Sequence, residues 1–276
     1  MNKKTINDTE DLRFRFGENW GRFIANLTDE QISEAGNSLK TMLRVEALAG
    51  KNFLDIGNGS GLFSLAAMRL GANYVHSFDY DIQSVNCAIE LKRRYFPYAD
   101  NWVIEQGSAL DEAYLRSLGR FDVVYSWGVL HHTGAMWQAL QNALIPLNKH
   151  GLLFISIYND QGRTSNFWRT IKRTYNNLPD RLKFLVLFPS FFLVYGVKMA
   201  GDIFRGRPLQ YFKEYNKARG MSPWRDLVDW VGGYPFEVAK PDDIIEFYFS
   251  KNLELRRLKT VGCGYGCNEF IFQNGS

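Results

Sequence analysis

The chain has 276 residues, of which 46% are hydrophobic and 22% charged, a composition typical of a globular protein and not of a disordered one. Its net charge of +4 is mild and no long lysine or arginine run occurs, so composition alone does not indicate a nucleic-acid partner. Three cysteines are too few for a disulfide framework, and the Cys-x3-Cys pair Cys263 and Cys267 lacks the second ligand pair of a zinc site. We therefore expect no metal site and a reducing, cytoplasmic location.

Short apolar runs alternate with amphipathic stretches along the first half of the chain. Residues 12–50 are predicted to be helical, because apolar residues recur there at helical spacing. Five strands and four intervening helices follow, in strict alternation. The strands are predicted at 52–56, 74–78, 102–105, 121–126 and 151–157, and the helices at 62–70, 82–95, 111–118 and 135–145. This order predicts an α/β fold with a doubly wound, mostly parallel sheet.

The alternation stops at Asp160 and resumes at Pro241. Residues 160–240 carry helical patterns without a clear strand, so we predict a helical insertion that forms a lid over an acceptor. Pro241 followed by two acids predicts a helix start, and two closing strands predict an antiparallel edge. The expected organisation is a helical segment that caps the site (1–50), an α/β core (51–159), the lid insertion (160–240), and a closing helix with two strands (241–276).

Two segments of the insertion raise the question of a membrane. Phe184–Val197 is an uncharged run of 14 residues, shorter than the roughly 20 residues that a spanning helix needs. We expect this run to be buried or to lie at an interface. The preceding stretch, from Arg163 onwards, is predicted to be a basic helix that recognises a phosphate or carboxylate, or that lies at a membrane surface. A solvated helix face is the simpler interpretation of its basic residues.

The turn after the first predicted strand is rich in glycine. It reads Asp55-Ile56-Gly57-Asn58-Gly59-Ser60-Gly61, and glycine there permits positive φ angles and close approach of a ligand to the backbone. A dinucleotide fingerprint, G-x-G-x-x-G, would place its third glycine at position 62, which is Leu62. Asp55 suits a cation such as the methionine ammonium of S-adenosylmethionine (SAM). Asp79, which ends the second strand, is placed to bind ribose hydroxyls, with Asp81 as a competitor for that role.

On these residues the sequence resembles the class I SAM-dependent methyltransferases, and in particular the bacterial enzymes grouped loosely with ubiquinone-type methylases. The resemblance implies a Rossmann-like fold and contacts to SAM from Gly57, Gly59 and Gly61. It further implies that Asp79 binds the ribose, that Ser108 and Ala109 hold the adenine, and that the turn at 126–133, which includes Trp127, lines the methionine end and the acceptor pocket. Many family members have Asp where this chain has Ser108, so the adenine contact there rests on the backbone of Ala109.

Candidate acceptor-side residues lie around that turn. His131 and His132 are adjacent, and a histidine there often serves as a base in the family; catalysis by proximity alone is the alternative. Hydrogen bonds to the acceptor are expected from Tyr158, Asn159 and Arg163, and a covering role from Phe16 and Trp20. Turn formation or core packing would explain these residues equally well.

The sequence therefore predicts a SAM-dependent methyltransferase that acts on an oxygen or nitrogen of a small-molecule or lipid-linked acceptor. The alternatives are an NAD(P)-dependent oxidoreductase and a non-catalytic or RNA-directed SAM-binding protein. The Asn/Asp-Pro-Pro-Tyr/Phe motif of many DNA amino-methyltransferases is absent at 126–129, so a nucleic-acid substrate is disfavoured. Peripheral contact with a membrane is an open alternative for the insertion.

Overall fold

The computed structural model describes residues 14, 17–207, 210–212, 223–262, 264 and 266–275. Seven strands within these residues form one sheet. They are β1 (Asn52–Ile56), β2 (Tyr74–Asp79), β3 (Trp102–Gln106), β4 (Phe121–Trp127), β5 (Leu147–Tyr158), β6 (Leu253–Lys259) and β7 (Cys267–Asn274). The helices with described bounds are α1 (Gly17–Ala25), α2 (Asp29–Leu43), α3 (Leu62–Arg69), α4 (Ile82–Tyr95), α5 (Glu112–Ser117), α6 (Met136–Asn142), α7 (Arg163–Asn177), α8 (Phe184–Phe204), α9 (Pro223–Gly232) and α10 (Pro241–Phe249).

The strand order β3-β2-β1-β4-β5-β7-β6 confirms the predicted doubly wound sheet. Strands β1 to β5 pair in parallel. Strand β7 lies antiparallel between β5 and β6, which confirms the antiparallel edge predicted for the two closing strands. The chain leaves β1 towards β2 on one side and later returns to β4 on the other. The crevice beyond the carboxyl ends of β1 and β4 is therefore the position where open α/β sheets bind ligands.

The core has a layer on each face of the sheet. Leu54 and Ile56 of β1 pack with α6 and α10, whereas Phe53 packs on the opposite face with α2 and α3. Burial on both faces explains why the central strands are almost continuously apolar in sequence. A third cluster belongs mainly to the insertion and contains Trp168, Tyr175, Leu187, Tyr195, Leu227, Val231 and Phe236. The insertion thus has a hydrophobic core of its own.

The segment predicted to be helical over residues 12–50 contains two separate helices in its described part, and residues 44–50 are not helical. Helix α1 ends at Ala25 and α2 begins at Asp29. Thr28 caps α2, because its Oγ1 accepts from the Gln31 N–H while the Gln31 side chain accepts from the Thr28 N–H. This reciprocal capping box stabilises the start of α2 at its cap residue Thr28, four residues before Ile32, where the apolar periodicity begins.

The apolar segment of the insertion is longer than the sequence run suggested. Helix α8 spans 21 residues and continues past Lys198, whose Nζ donates to the Tyr211 hydroxyl at 2.9 Å. One charged residue on an exposed face does not end a helix, so counting to the first charge underestimated its length. Among the described residues one helix, taken over Asp180–Phe204, is long and apolar enough to cross a membrane by length and composition alone.

Asp55 is the inner end of a buried chain of hydrogen bonds that joins three strands through α3. Its Oδ2 accepts from the Ser64 hydroxyl at 2.5 Å, Ser64 Oγ accepts from Ser77 at 2.7 Å, and Ser77 Oγ accepts from the Trp102 indole N–H at 2.9 Å. Burial raises the pKa of Asp55 to about 7, and the Ser64 hydrogen bond only partly opposes this. The carboxyl is therefore near its midpoint at neutral pH.

The stability of the Asp55→Asn variant is expected to increase relative to that of the native protein as pH rises. Because the folded pKa of about 7 exceeds the ordinary 3.8, the native carboxyl stabilises the fold fully only below about pH 4, and this contribution is lost as pH rises through 7. From pH 5 to pH 8 the free energy of unfolding of the native protein should fall by about 2–3 kcal/mol relative to the variant. Urea denaturation at both pH values measures this, and parallel pH profiles would contradict it.

Candidate cofactor and acceptor site

The glycine loop joins β1 to α3 at the ligand-binding edge of the sheet. The N–H groups of Gly57 and Asn58 donate to the Phe78 carbonyl at 2.8 and 3.1 Å, which fixes the loop to the end of β2. All three loop glycines have positive φ, at 73° for Gly57, 53° for Gly59 and 81° for Gly61. This conformation strains residues with a Cβ, which accounts for the glycines.

Each loop glycine also lies close to a neighbouring group. A Cβ on Gly57 would lie 2.3 Å from Val129 Cγ1, and a Cβ on Gly59 would lie 3.2 Å from the Trp20 indole nitrogen. Trp20 was predicted on the acceptor side, but the structure places its ring over the loop, because α1 packs on α4. Phe16, the other predicted covering residue, lies outside the described residues.

Asp79 ends β2 beside the loop and is half-buried. Its Oδ2 accepts from the Gly59 N–H and its Oδ1 from the Asp81 N–H, both at 2.9 Å. Burial raises the pKa of Asp79 to about 6, and these N–H donors oppose the rise. Asp81, the competitor, caps α4 through Gln83 and accepts from the Gly17 N–H at 2.9 Å. Asp81 is thus committed to the N-terminal helix, and Asp79 is the acid held against the loop.

The remaining predicted cofactor residues lie at the same edge of the sheet. Ser108 accepts from the Leu110 N–H, while buried Ala109 offers its carbonyl to the Asn142 amide at 3.0 Å. Trp127 ends β4 with 44% of its surface exposed. Asp55 is 2% exposed and accepts a hydrogen bond from Ser64, so its contact with the methionine ammonium of SAM stays a prediction.

The arrangement fits SAM. The glycines allow the loop backbone to adopt positive φ angles at the ligand-binding edge of the sheet, and the half-buried acid lies where a ribose is bound in this class of fold. Gly57, Gly59 and Gly61 would hold the methionine end through the loop, Asp79 the ribose, and Ser108 and Ala109 the adenine.

His131 lies between the cofactor loop and the insertion. It belongs to a short 3-10 helix, Leu130–His132, that directly follows the Val129 contact with Gly57. Its side chain is completely buried, and among the described residues neither ring nitrogen has a hydrogen-bond partner. Burial lowers its pKa well below the ordinary 6.5, with smaller contributions from His132 and Lys172, and the backbone of Ser156 beside the ring partly opposes this fall. The imidazole is neutral at pH 7 and able to accept a proton.

Tyr158 connects His131 to the insertion. Its ring centroid lies 4.1 Å from that of His131, and it also contacts Trp230 and Phe236. Burial raises the Tyr158 pKa well above 10, so the hydroxyl stays protonated. A small cavity adjoins these rings, lined by Tyr158, Asn159, Gln161, Ser165, Trp168, Trp230, Phe236 and Gly266. The side of the site facing the insertion is therefore largely aromatic.

Three other acceptor-side predictions have different outcomes. His132 Nδ1 donates to the Pro235 carbonyl at 2.6 Å, so this ring holds the 234–239 segment against the site. Asn159 donates to the Gly262 carbonyl and accepts from Asn268, so its amide stabilises the turn before β7, the alternative left open from sequence. Arg163 starts α7 on the exposed surface.

Lys172 is a buried cation that the sequence pattern did not single out as part of the site. It shares the buried face of α7 with Trp168 and Tyr175 and is 0% exposed. Its ammonium donates to the Trp230 carbonyl and lies 4.2 Å from the centroid of that ring and 4.8 Å from that of Phe236. Burial lowers its pKa to about 7. The helical spacing from Trp168 was the one signal that could have located it.

The pH dependence of stability should expose the buried Lys172. Because its folded pKa of about 7 lies below the ordinary 10.5, the native protein carries a desolvation penalty that is full below pH 7 and vanishes above about pH 10.5. From pH 6 to pH 9 the free energy of unfolding of the native protein should rise by about 2–3 kcal/mol relative to that of the Lys172→Met variant. Chemical denaturation at both pH values tests this, and a difference that is independent of pH would exclude a buried, titrating ammonium.

The described residues contain no group of three His, Cys, Asp or Glu side chains that could hold a metal ion. Cys267 is a free thiol whose pKa burial raises to about 12, and Cys263 lies outside the described part of the chain.

The family profile described as a methyltransferase domain matches residues 28–185. The ribosomal protein L11 methyltransferase of Bacillus velezensis is 27% identical over 174 residues, which cover 52% of this chain and 56% of that protein. The Bacillus subtilis protein of the same name is 30% identical over 112 residues, or 36% of each chain. This chain thus matches about half the length of its curated relatives, or less.

Solved structures share the fold over more of the chain. Magnesium protoporphyrin IX methyltransferase from Synechocystis with bound SAH covers 98% of this chain and 100% of its own, with a TM-score of 0.55 and 13% identity. PKMT2 from Rickettsia typhi in complex with AdoHcy covers 85% of this chain and 52% of its own, with a TM-score of 0.57 and 15% identity. Because the family profile spans more than half the sequence and the fold agrees with it, the chain belongs to the class I SAM-dependent methyltransferases.

Proposed function

We propose that this protein transfers the methyl group of SAM to an oxygen or nitrogen of a small-molecule or lipid-linked acceptor that enters between His131 and the aromatic residues of the insertion. The observation that carries the proposal is the state of His131. It is buried and neutral and has no ring hydrogen bond among the described residues, and it lies between the cofactor loop and Tyr158. A neutral imidazole beside a methyl donor has a nitrogen lone pair that can accept a proton from a hydroxyl or amine, and its lowered pKa makes it a weaker base than an exposed histidine.

The residues divide the work of the reaction between them. SAM, when bound, supplies an electrophilic methyl group. The glycine loop and Asp79 position the nucleoside, and Trp20 covers the loop from the N-terminal side. His131 accepts the acceptor proton, and Tyr158 donates a hydrogen bond since its hydroxyl stays protonated. Close packing around these groups excludes water and fixes the direction of approach, which itself accelerates transfer.

The acceptor class follows from the walls of the site. Tyr158, Trp168, Trp230 and Phe236 form a connected set of ring contacts. Such walls favour a planar or apolar acceptor group. The subgroup related to ubiquinone-type methylases would meet this requirement and stays part of the proposal. The NAD(P) alternative gains no support from the family match.

The test uses tritium-labelled SAM and an extract of cells that lack the gene. After incubation with the purified full chain, the extract is separated into organic-soluble, small-molecule, RNA and protein fractions. We expect label in the organic-soluble or small-molecule fraction, and its loss with the His131→Gln variant. Label in the protein or RNA fraction would overturn the proposed acceptor class. A protein acceptor is the leading alternative, because ribosomal protein L11 methyltransferases are among the relatives. SAM binding without label in any fraction would indicate a non-catalytic protein.

A further inference from the structure

Helix α8 has one packed face and one exposed face, and both are apolar. Leu187, Ser190 and Tyr195 are buried against the insertion core. Only 17% of the most apolar stretch of this helix is buried, whereas a core helix would be mostly covered. The outward side chains are large and hydrophobic, namely Phe184, Leu185, Phe188, Phe192, Leu193, Val197, Ile203 and Phe204.

The exposed side chains form a continuous strip. Phe184, Phe188 and Phe192 follow one another at a spacing of four residues, and Leu185, Leu193 and Val197 widen this strip into a broad apolar face. Over 21 residues the strip is about 30 Å long, since a helix rises about 1.5 Å per residue. Globular proteins rarely expose an apolar surface of this extent unless a partner or a membrane covers it.

Basic residues surround the strip. Residues 160–207 contain nine lysines and arginines and three aspartates; without the buried Lys172 the net charge is +5, which still exceeds the +4 of the whole chain. Arg181 and Lys183 precede α8, and Arg205 and Arg207 follow it. All three acids of this region are engaged. Asp160 accepts from the Gly162 N–H at 2.8 Å, Asp180 pairs with Lys183 at 2.8 Å, and Asp202 accepts from the Tyr211 N–H at 2.7 Å.

We propose that α8 docks the protein on the surface of an anionic lipid bilayer, with its axis in the membrane plane. The phenylalanine strip would enter the acyl-chain boundary and the basic ends would meet anionic headgroups. The helix does not span the bilayer, because its other face packs on the insertion through Leu187 and Tyr195. A second copy is a poorer occupant, because an antiparallel pair of strips would bring Arg181 and Lys183 against Arg205 and Arg207.

Docking would bring the acceptor side of the protein to the membrane. The core that supports α8 also contains Trp168 and Phe236, which line the cavity beside Tyr158. An acceptor carried in a bilayer could therefore reach the aromatic walls without leaving the membrane surface. The docking itself requires no methyl transfer, so its test is independent of the proposed function.

Vesicle flotation tests the proposal with the full chain. The probes are vesicles of phosphatidylcholine alone and vesicles with one quarter phosphatidylglycerol. We expect the native protein to partition onto the anionic vesicles at least tenfold more strongly than onto the phosphatidylcholine vesicles. The double variant Phe188→Glu/Phe192→Glu should bind the anionic vesicles at least tenfold more weakly than the native protein. The matched control is Ile89→Glu/Tyr98→Glu, which adds the same charges at exposed apolar residues outside the insertion and should float within twofold of the native protein.

Several outcomes would overturn docking. These are no flotation with anionic vesicles, equal loss in both double variants, and resistance of the cellular protein to alkaline carbonate extraction, which indicates a spanning helix. A dimer in sedimentation velocity that only Phe188→Glu/Phe192→Glu dissociates would assign the strip to a second copy. SAM calorimetry and thermal melting show that each variant is folded.

Discussion

The Gly57→Ala variant is expected to bind SAM about 100-fold more weakly than the native protein. Gly57 has φ of +73°, and the added Cβ would lie 2.3 Å from Val129 Cγ1, well inside van der Waals contact. Val129 is branched at Cβ and cannot withdraw by a rotamer change alone. The loop or the turn that carries His131 must therefore move, and about 2.7 kcal/mol of lost binding corresponds to the expected factor. Titration calorimetry with SAM measures it.

Gly71→Ala is the matched control for backbone strain. Gly71 has φ of +79° at the other end of α3, but no atom lies within 4 Å of its missing Cβ. Alanine there carries the same conformational penalty, about 1–2 kcal/mol, without the contact. Thermal melting should show the backbone penalty in both variants and a larger destabilisation for Gly57→Ala, and only Gly57→Ala should lose SAM affinity. Equal loss of affinity in the two would show that general destabilisation, and not the geometry of the loop, controls binding.

The His131→Gln variant is expected to lower the rate of methyl transfer by about 100–1,000-fold, the usual contribution of a general base. Glutamine keeps a polar side chain of similar size but cannot accept the proton. SAM affinity should stay within threefold, because the glycine loop and Asp79 are untouched. The rate is measured as tritium transferred from SAM to the fraction that the native enzyme labels.

His132→Gln is the control for that experiment. His132 Nδ1 is committed to the Pro235 carbonyl, so its loss should loosen the 234–239 segment and lower the rate by less than about tenfold. A larger effect at His132 than at His131 would reassign the base. An unchanged rate in both would favour catalysis by proximity alone.

Features that depend on local geometry were predictable from sequence. The glycine loop was located because only a few residue types tolerate its φ angles, and the sheet was located because alternating apolar runs specify strands and crossover helices. Where local patterns were misinterpreted, a single residue was responsible. Thr28 starts a second helix within the segment predicted to be helical, and Lys198 lies within α8 instead of ending it.

Features that depend on long-range contacts were not predictable. Trp20 was expected near the acceptor and lies on Gly59, because the packing of α1 on α4 fixes its position. Asn159 has polar partners more than 100 residues away, and they leave its amide a structural role. Burial lowers the pKa of Lys172, and that burial depends on Trp230, 58 residues further along the chain. No sequence pattern shows which basic residue of a helix will face such a distant partner.

The sequence by itself determined the fold class, the position of the glycine loop between β1 and α3, and the position of Asp79 at the end of β2, because each depends on residues close together in the chain. Only the tertiary structure decided which histidine ring lacks a hydrogen-bond partner among the described residues, which face of α8 is exposed, and which ionisable groups are desolvated by burial. Those properties depend on desolvation and on contacts between distant segments; they distinguish His131 from His132 and leave the apolar strip of α8 exposed.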